Sequence, residues 1–230
     1  MNDMLAEQTQ YYRERAPEYD EWFMREGRYD RGADLNARWF AEVEEVRAWL
    51  RAHGPFGDVL ELAAGTGIWT RILAEHSTSV LCLDASHETL HLNRRRLAND
   101  ARVAYEVADL FAWQPTRRWR TVFLGFWLSH VPADRQAKFW STVSDCVGPG
   151  GRVLVIDSLP DPASQAVNHV LELGGEVTRR LNDGREFRIV KRFVGASALS
   201  RQLQPLGWRV IAHETPSFFL YAEISRAESG

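Results

Sequence analysis

A chain of 230 residues with 45% hydrophobic and 26% charged residues can bury a full core without disulfide or metal staples. Its net charge of −3 lacks the basic excess of a nucleic-acid surface. No apolar run reaches membrane-spanning length, the first ten residues hold no signal core, and Cys82 and Cys146 stand alone in apolar runs, so a cytoplasmic protein without a metal cage is expected.

Residues 4–24 and 34–52 are predicted helices. In the second, Trp39, Phe40, Val43, Val46, Trp49 and Leu50 recur at helical spacing until Gly54, Pro55 and Gly57 stop it. Strands are expected at 58–62, 80–83, 103–107, 121–125 and 152–157. Helices at 68–76, 87–99 and 133–147 fall between them, the last followed by a tight turn at Gly148-Pro149-Gly150-Gly151. Such alternation predicts an α/β fold, doubly wound around a mostly parallel sheet covered on both faces.

Residues 158–194 break the rhythm. A helix is expected near 163–174. Two β-like runs, 177–181 and 186–193, then flank Asn182-Asp183-Gly184, a hairpin signal. A helix at 195–206 and an antiparallel pair, 207–214 with 217–224, close a seven-stranded sheet. The expected division is an N-terminal helical extension over 1–54 and a core over 55–230, with an insertion at about 158–194.

The chemistry concentrates where the first strand, Val59-Leu60-Glu61-Leu62, runs into Ala63-Ala64-Gly65-Thr66-Gly67 and then a helix. Small residues let the backbone turn sharply and lie against a ligand, and the helix start offers free N–H groups. Asp84 ends the second strand, placed to accept both hydroxyls of a ribose. Asp109 ends the third, placed beside Leu110 to read an adenine amino group. A G-x-G-x-x-G dinucleotide fingerprint would need glycine at position 70, where Thr70 stands, and no G-x-x-x-x-G-K-[ST] phosphate loop is present.

Together these residues resemble the class I S-adenosylmethionine-dependent methyltransferases, in the broad small-molecule subgroup that includes quinone-biosynthesis methyltransferases. The stretch Glu61–Gly67 is similar to the first family motif, with Ala63 in place of its first glycine. Asp84 and Asp109 match the ribose and adenine acids, and Phe126–Pro132 the segment after strand four. Gly148–Gly151 matches the turn before strand five, and Tyr11–Asp20 the N-terminal helix that covers the cofactor. Arg120 stands where many members carry aspartate. The resemblance implies S-adenosyl-L-methionine as cofactor, no metal, and S-adenosyl-L-homocysteine as product. It also implies cofactor contacts from Tyr12, Tyr19, Glu61, Ala63, Gly65, Thr66 and Gly67, and from Asp84, Ala85, Asp109, Leu110 and Phe126.

Methyl transfer from a sulfonium needs mainly orientation, with a base where the acceptor carries a proton. His130, after strand four, is the candidate base. Trp22, Trp69 and Trp127 are the candidate acceptor contacts, while His169, Glu172, Glu176 and Arg179 carry no assignment. Abundant aromatic residues suggest O-methylation of an apolar or aromatic metabolite. The alternatives are N- or C-methylation and a non-catalytic cofactor-binding relative. The expected partner is a small-molecule acceptor, not nucleic acid or membrane, with the chain a monomer or homodimer.

Overall fold

The computed structural model describes residues 2–227. Its helices are α1 (Asn2–Arg15), α2 (Tyr19–Met24), α3 (Ala33–Ala52), α4 (Thr70–Glu75), α5 (His87–Arg96), α6 (Gln136–Cys146) and α7 (Ala196–Leu203). Its strands are β1 (Gly57–Leu62), β2 (Ser77–Asp84), β3 (Val103–Val107), β4 (Trp119–Gly125), β5 (Val147–Ser158), β6 (Gly175–Arg180), β7 (Glu186–Lys191), β8 (Trp208–Glu214) and β9 (Phe219–Arg226). Seven strands form one sheet in the order β3-β2-β1-β4-β5-β9-β8. The pairings from β3 through to β5 are parallel; β9 runs antiparallel to both β5 and β8.

Successive side chains of the central strands point to opposite faces, and both faces are buried. Val59, Phe123, Leu154 and Ile156 pack beneath Trp39, Val43, Val46 and Leu50 of α3 and Ile72 and Leu73 of α4. Leu60, Leu62, Val122, Leu124, Val153 and Val155 face Phe139, Trp140 and Val143 of α6 and Leu199 and Leu203 of α7. Each large side chain so buried contributes roughly 1.5–3 kcal/mol. Of residues 1–54, α3 is therefore part of the core.

β1 and β4 are neighbours although β2 and β3 lie between them in sequence, so the chain changes direction there. Connections leaving β1 and β4 to opposite sides open a crevice beyond their carboxyl ends.

A second unit roofs this crevice. The hairpin β6–β7 lies apart from the main sheet, with Gly184 at φ +92° in its turn. A lone two-stranded hairpin is marginal in water. Here α1 covers it: Tyr11 packs with Val177, Leu181, Phe187 and Ile189 in a small separate core. Gln8 Oε1 accepts from Val190 N at 2.9 Å, and Arg185 reaches Glu14 at 3.1 Å.

Two expected elements differ. The helix over 4–24 divides at the 3-10 turn Ala16–Glu18, where Pro17 supplies no N–H. The helix near 163–174 is a short 3-10 turn, Pro162–Ser164, followed by irregular chain. Val167, Val170 and Leu173 stay 62%, 77% and 71% exposed, so a helix there would have had no apolar face to bury.

Phe187→Ala should loosen the roof without unfolding the sheet. Hydrogen exchange of β6 and β7 amides is expected to accelerate, while β1 and β4 amides keep their protection.

Candidate active site

Two cavities meet beneath the roof. The first, of about 710 Å³, is walled by Ala63, Gly65, Asp84, Ala85, Asp109, Leu110 and Phe126, the expected cofactor residues at the ends of β1 to β4. Tyr12 and Tyr19 close it from above, their rings 6.3 Å apart despite the helix break between them. Trp127 lines this cavity against Phe111, on the cofactor side rather than the acceptor side expected of it.

Local chemistry explains the cradle. Gly65 has φ +53°, and a Cβ built there would meet nothing within 4 Å, so the backbone borders open space that a ligand can use. Asp84 accepts from Gly65 N and Ser86 N, each at 2.9 Å, which fixes its carboxylate at the cavity edge with lone pairs to spare. Burial raises its pKa against those two bonds. Asp109 is exposed and accepts from Phe111 N at 2.9 Å. This donor set fits S-adenosylmethionine: a fixed carboxylate for ribose, an acid beside Leu110 for adenine, and bare backbone at Gly65.

Ala63, which stands in place of the motif's first glycine, sits at φ +56°, a conformation alanine adopts only under strain. The turn imposes the left-handed conformation for which glycine is the unstrained choice.

Three cofactor candidates support the loop from outside the cavity. Glu61 is buried under it, accepting from Thr70 Oγ1 at 2.7 Å and Cys82 Sγ at 3.5 Å; burial pushes its carboxyl up to about 8. Thr66 donates to Asp20 of α2 at 2.6 Å, pinning the roof to the loop. At Gly67 a Cβ would lie 2.6 Å from Asn93 Oδ1, so this glycine serves close packing against α5.

The second cavity, of about 540 Å³, shares Tyr12, Tyr19, Phe126 and His130 with the first. It continues between Arg15, Tyr29, Arg179, Ile189 and Lys191 of the roof and Trp22, Ser158, Ser164, Gln165 and His169. Trp22 lines this second cavity, with Nε1 donating to Ser164 O at 2.9 Å. Trp69 lines neither cavity; it is 4% exposed and packs on Phe23 and Phe126.

At the junction, His130 Nδ1 lies 2.6 Å from Val190 O, so Nδ1 carries the proton. Nε2 then accepts from Tyr12 Oη at 2.8 Å. Burial, then the Lys191 charge, holds His130 well below the usual histidine range, and the ring is neutral at pH 7. Among the described residues no cluster of three or more His, Cys, Asp or Glu could hold a metal, and no described helix is long and apolar enough to cross a membrane.

Residues 59–151 match a family model described as a methyltransferase domain. The structure of a complex of DhpI with SAH is 36% identical, covers 100% of both chains and superposes with a TM-score of 0.81. The chain belongs to the class I S-adenosylmethionine-dependent methyltransferases. A DhpI–SAM–HEP complex is 37% identical over 96% of this chain and 97% of that one, with a TM-score of 0.79. A methyltransferase from Mesorhizobium loti, 21% identical over 78% of this chain and 96% of its own, shares the fold with a TM-score of 0.59. No curated protein matched the sequence. The enzyme uses S-adenosylmethionine.

Sequence reasoning left out Gln8, Ser86, Thr89 and Phe111 at the first cavity and Arg15 and Lys191 at the second, where His169 and Arg179, named without an assignment, also stand. Lys191 carried a signal: with Lys138 it is one of only two lysines in the chain.

Asp84→Ala should weaken S-adenosylhomocysteine binding by at least about tenfold, a loss of ~1.4 kcal/mol, with an unchanged far-ultraviolet spectrum; equal affinity by calorimetry would remove the ribose role. Ala63→Gly should stabilise the protein. Relief of roughly 1–2 kcal/mol of left-handed strain exceeds the ~0.5–1 kcal/mol of added chain freedom, and urea melts would read the difference.

Proposed function

We propose that this enzyme transfers the methyl group to an oxygen atom of a small molecule seated in the second cavity. The observation that carries this reading is the shared wall: Tyr12, Tyr19, Phe126 and His130 line both chambers, so a group in one can meet a group in the other. DhpI, whose structure is described as a complex with SAM and HEP together, offers a parallel for a cofactor and a second molecule on one chain.

Bound S-adenosylmethionine supplies a methyl group already activated by the sulfonium. The chain has to exclude water, orient the acceptor and manage any acceptor proton. The roof of α1 and the β6–β7 hairpin excludes water. Tyr12 orients: its own proton is given to His130 Nε2, which leaves its oxygen lone pairs to receive a hydrogen bond in the cavity. His130, neutral and held by Val190 O, acts through Tyr12 as a positioning residue rather than as the base its sequence position suggests.

Oxygen is favoured over nitrogen by charge. Among the described residues no carboxylate lines the second cavity, whereas Arg15, Arg179 and Lys191 do, and these cations favour the anionic, nucleophilic form of an acidic hydroxyl while offering nothing to take a proton from an amine. The aromatic residues that suggested an apolar acceptor are largely spent on the core: Trp69, Phe218 and Phe219 are each under a tenth exposed and line neither cavity.

An acceptor screen with methyl-labelled cofactor tests this reading; label found only on amines or carbon would overturn it. Tyr12→Phe and His130→Ala should each lower kcat about 10- to 100-fold. With the oxygen acceptor, wild-type kcat should show no ionisation near pH 6.5, because His130 gains its proton only at lower pH. A titration there that His130→Ala abolishes would restore the histidine as the base.

A further inference from the structure

Three cations converge on the second cavity: Arg15 from the end of α1, Arg179 from β6 and Lys191 from β7. They are 9%, 7% and 8% exposed. Their recorded partners are almost all neutral. Arg15 donates to Tyr29 Oη at 3.3 Å, and its Nε, fully buried, has no partner. Arg179 donates to Gln165 Oε1 at 2.9 Å and to Thr178 O at 3.3 Å. Lys191 donates to Ser129 Oγ at 2.8 Å and stands 3.8 Å from Asp157, which is itself occupied by Ser129 and Ser158.

The outer face of the same hairpin is built differently. Arg180 pairs with Glu186, Arg185 with Asp183 and Glu14, and Arg188 with Glu7. Exposed arginines, which water could satisfy, have carboxylates; buried Arg15 and Arg179, which most need them, have none. A buried charge without a counter-charge is strongly unfavourable and is retained where something supplies that charge. If Asp157 offsets Lys191, two positive charges remain. The positive field also reaches the neighbouring imidazole: burial, then Arg179, pushes His169 down to about 4.

We propose that the acceptor is a small molecule bearing a compact oxyanion, and that Arg15, Arg179 and Lys191 are its counter-ions. This rests on reading the second cavity as the acceptor chamber. Guanidinium forks and an ammonium offer charge-assisted hydrogen bonds to oxyanion oxygens, and the hydroxyls of Ser158 and Ser164 lie on the same wall. Because all three cations belong to the roof, the anion also ties α1 and the hairpin down over the junction at Tyr12.

The test is calorimetric titration of the full chain, saturated with S-adenosylhomocysteine, using inorganic phosphate, acetate and methylammonium as probes. Phosphate or acetate should bind and methylammonium should not; the order of the two anions separates phosphate-type from carboxylate acceptors. Arg179→Gln and Lys191→Met should each weaken the bound anion at least tenfold, while S-adenosylhomocysteine affinity, which reports correct folding, changes less than twofold. Anion binding that both variants leave unaltered, or none in a chain that still binds S-adenosylhomocysteine, overturns the oxyanion proposal alone. Failure to bind S-adenosylhomocysteine would instead remove the methyltransferase reading on which it rests.

Discussion

The site depends on the docking of α1 against the β6–β7 hairpin. Neither element could stand on its own: the hairpin has two strands and a handful of apolar residues, and α1 carries little apolar surface beyond Tyr11 and Tyr12. Packed together they bury Tyr11 completely and pair Gln8 with Val190. That contact roofs the crevice at the carboxyl ends of β1 and β4 and divides it into two adjoining cavities. It brings Arg15 and Tyr12 from one end of the sequence onto Arg179, Val190 and Lys191 from near the other. It also sets the state of His130, whose Nδ1 proton is held by Val190 O and whose Nε2 is held by Tyr12.

The main sheet and the roof divide the work. The sheet positions the cofactor through rigid features: a left-handed turn at Ala63 and Gly65, a carboxylate at Asp84 clamped by two backbone N–H groups, and a packed contact between Gly67 and Asn93. The roof supplies most of the charge that faces the second chamber. Such a division suits a transferase that keeps one donor while its acceptor differs from relative to relative, because the hairpin can change without disturbing β1 to β4. Glu61 and Thr66 belong to neither lining and still matter: one braces the loop from beneath, the other fastens it to Asp20 in α2.

The periodic elements were legible from local pattern. The unbroken apolar runs of β1, β4 and β5 mark strands buried on both faces, the helical spacing in α3 states which of its faces is buried, and the Asn182-Asp183-Gly184 turn announced its hairpin. The helix expected near 163–174 failed for a physical reason: Val167, Val170 and Leu173 have the right spacing, but the fold brings no partner surface to them. Ala63 is the reverse case. Its side chain gives no hint of a positive φ, which the geometry of the turn imposes.

By itself the sequence determined the doubly wound sheet, the cofactor class and the two acids, Asp84 and Asp109, that line the first cavity, because those features lie within short stretches where residue type, spacing and strand end coincide. Only the tertiary structure decided which aromatic residues face a ligand, sending Trp69 to the core and Trp127 to the cofactor side. It alone also assembled the second cavity. Arg15 lies far in sequence from Arg179 and Lys191, and what sets the three cations apart is burial with almost wholly neutral partners. That is a property of the space around a residue, which no local pattern can encode.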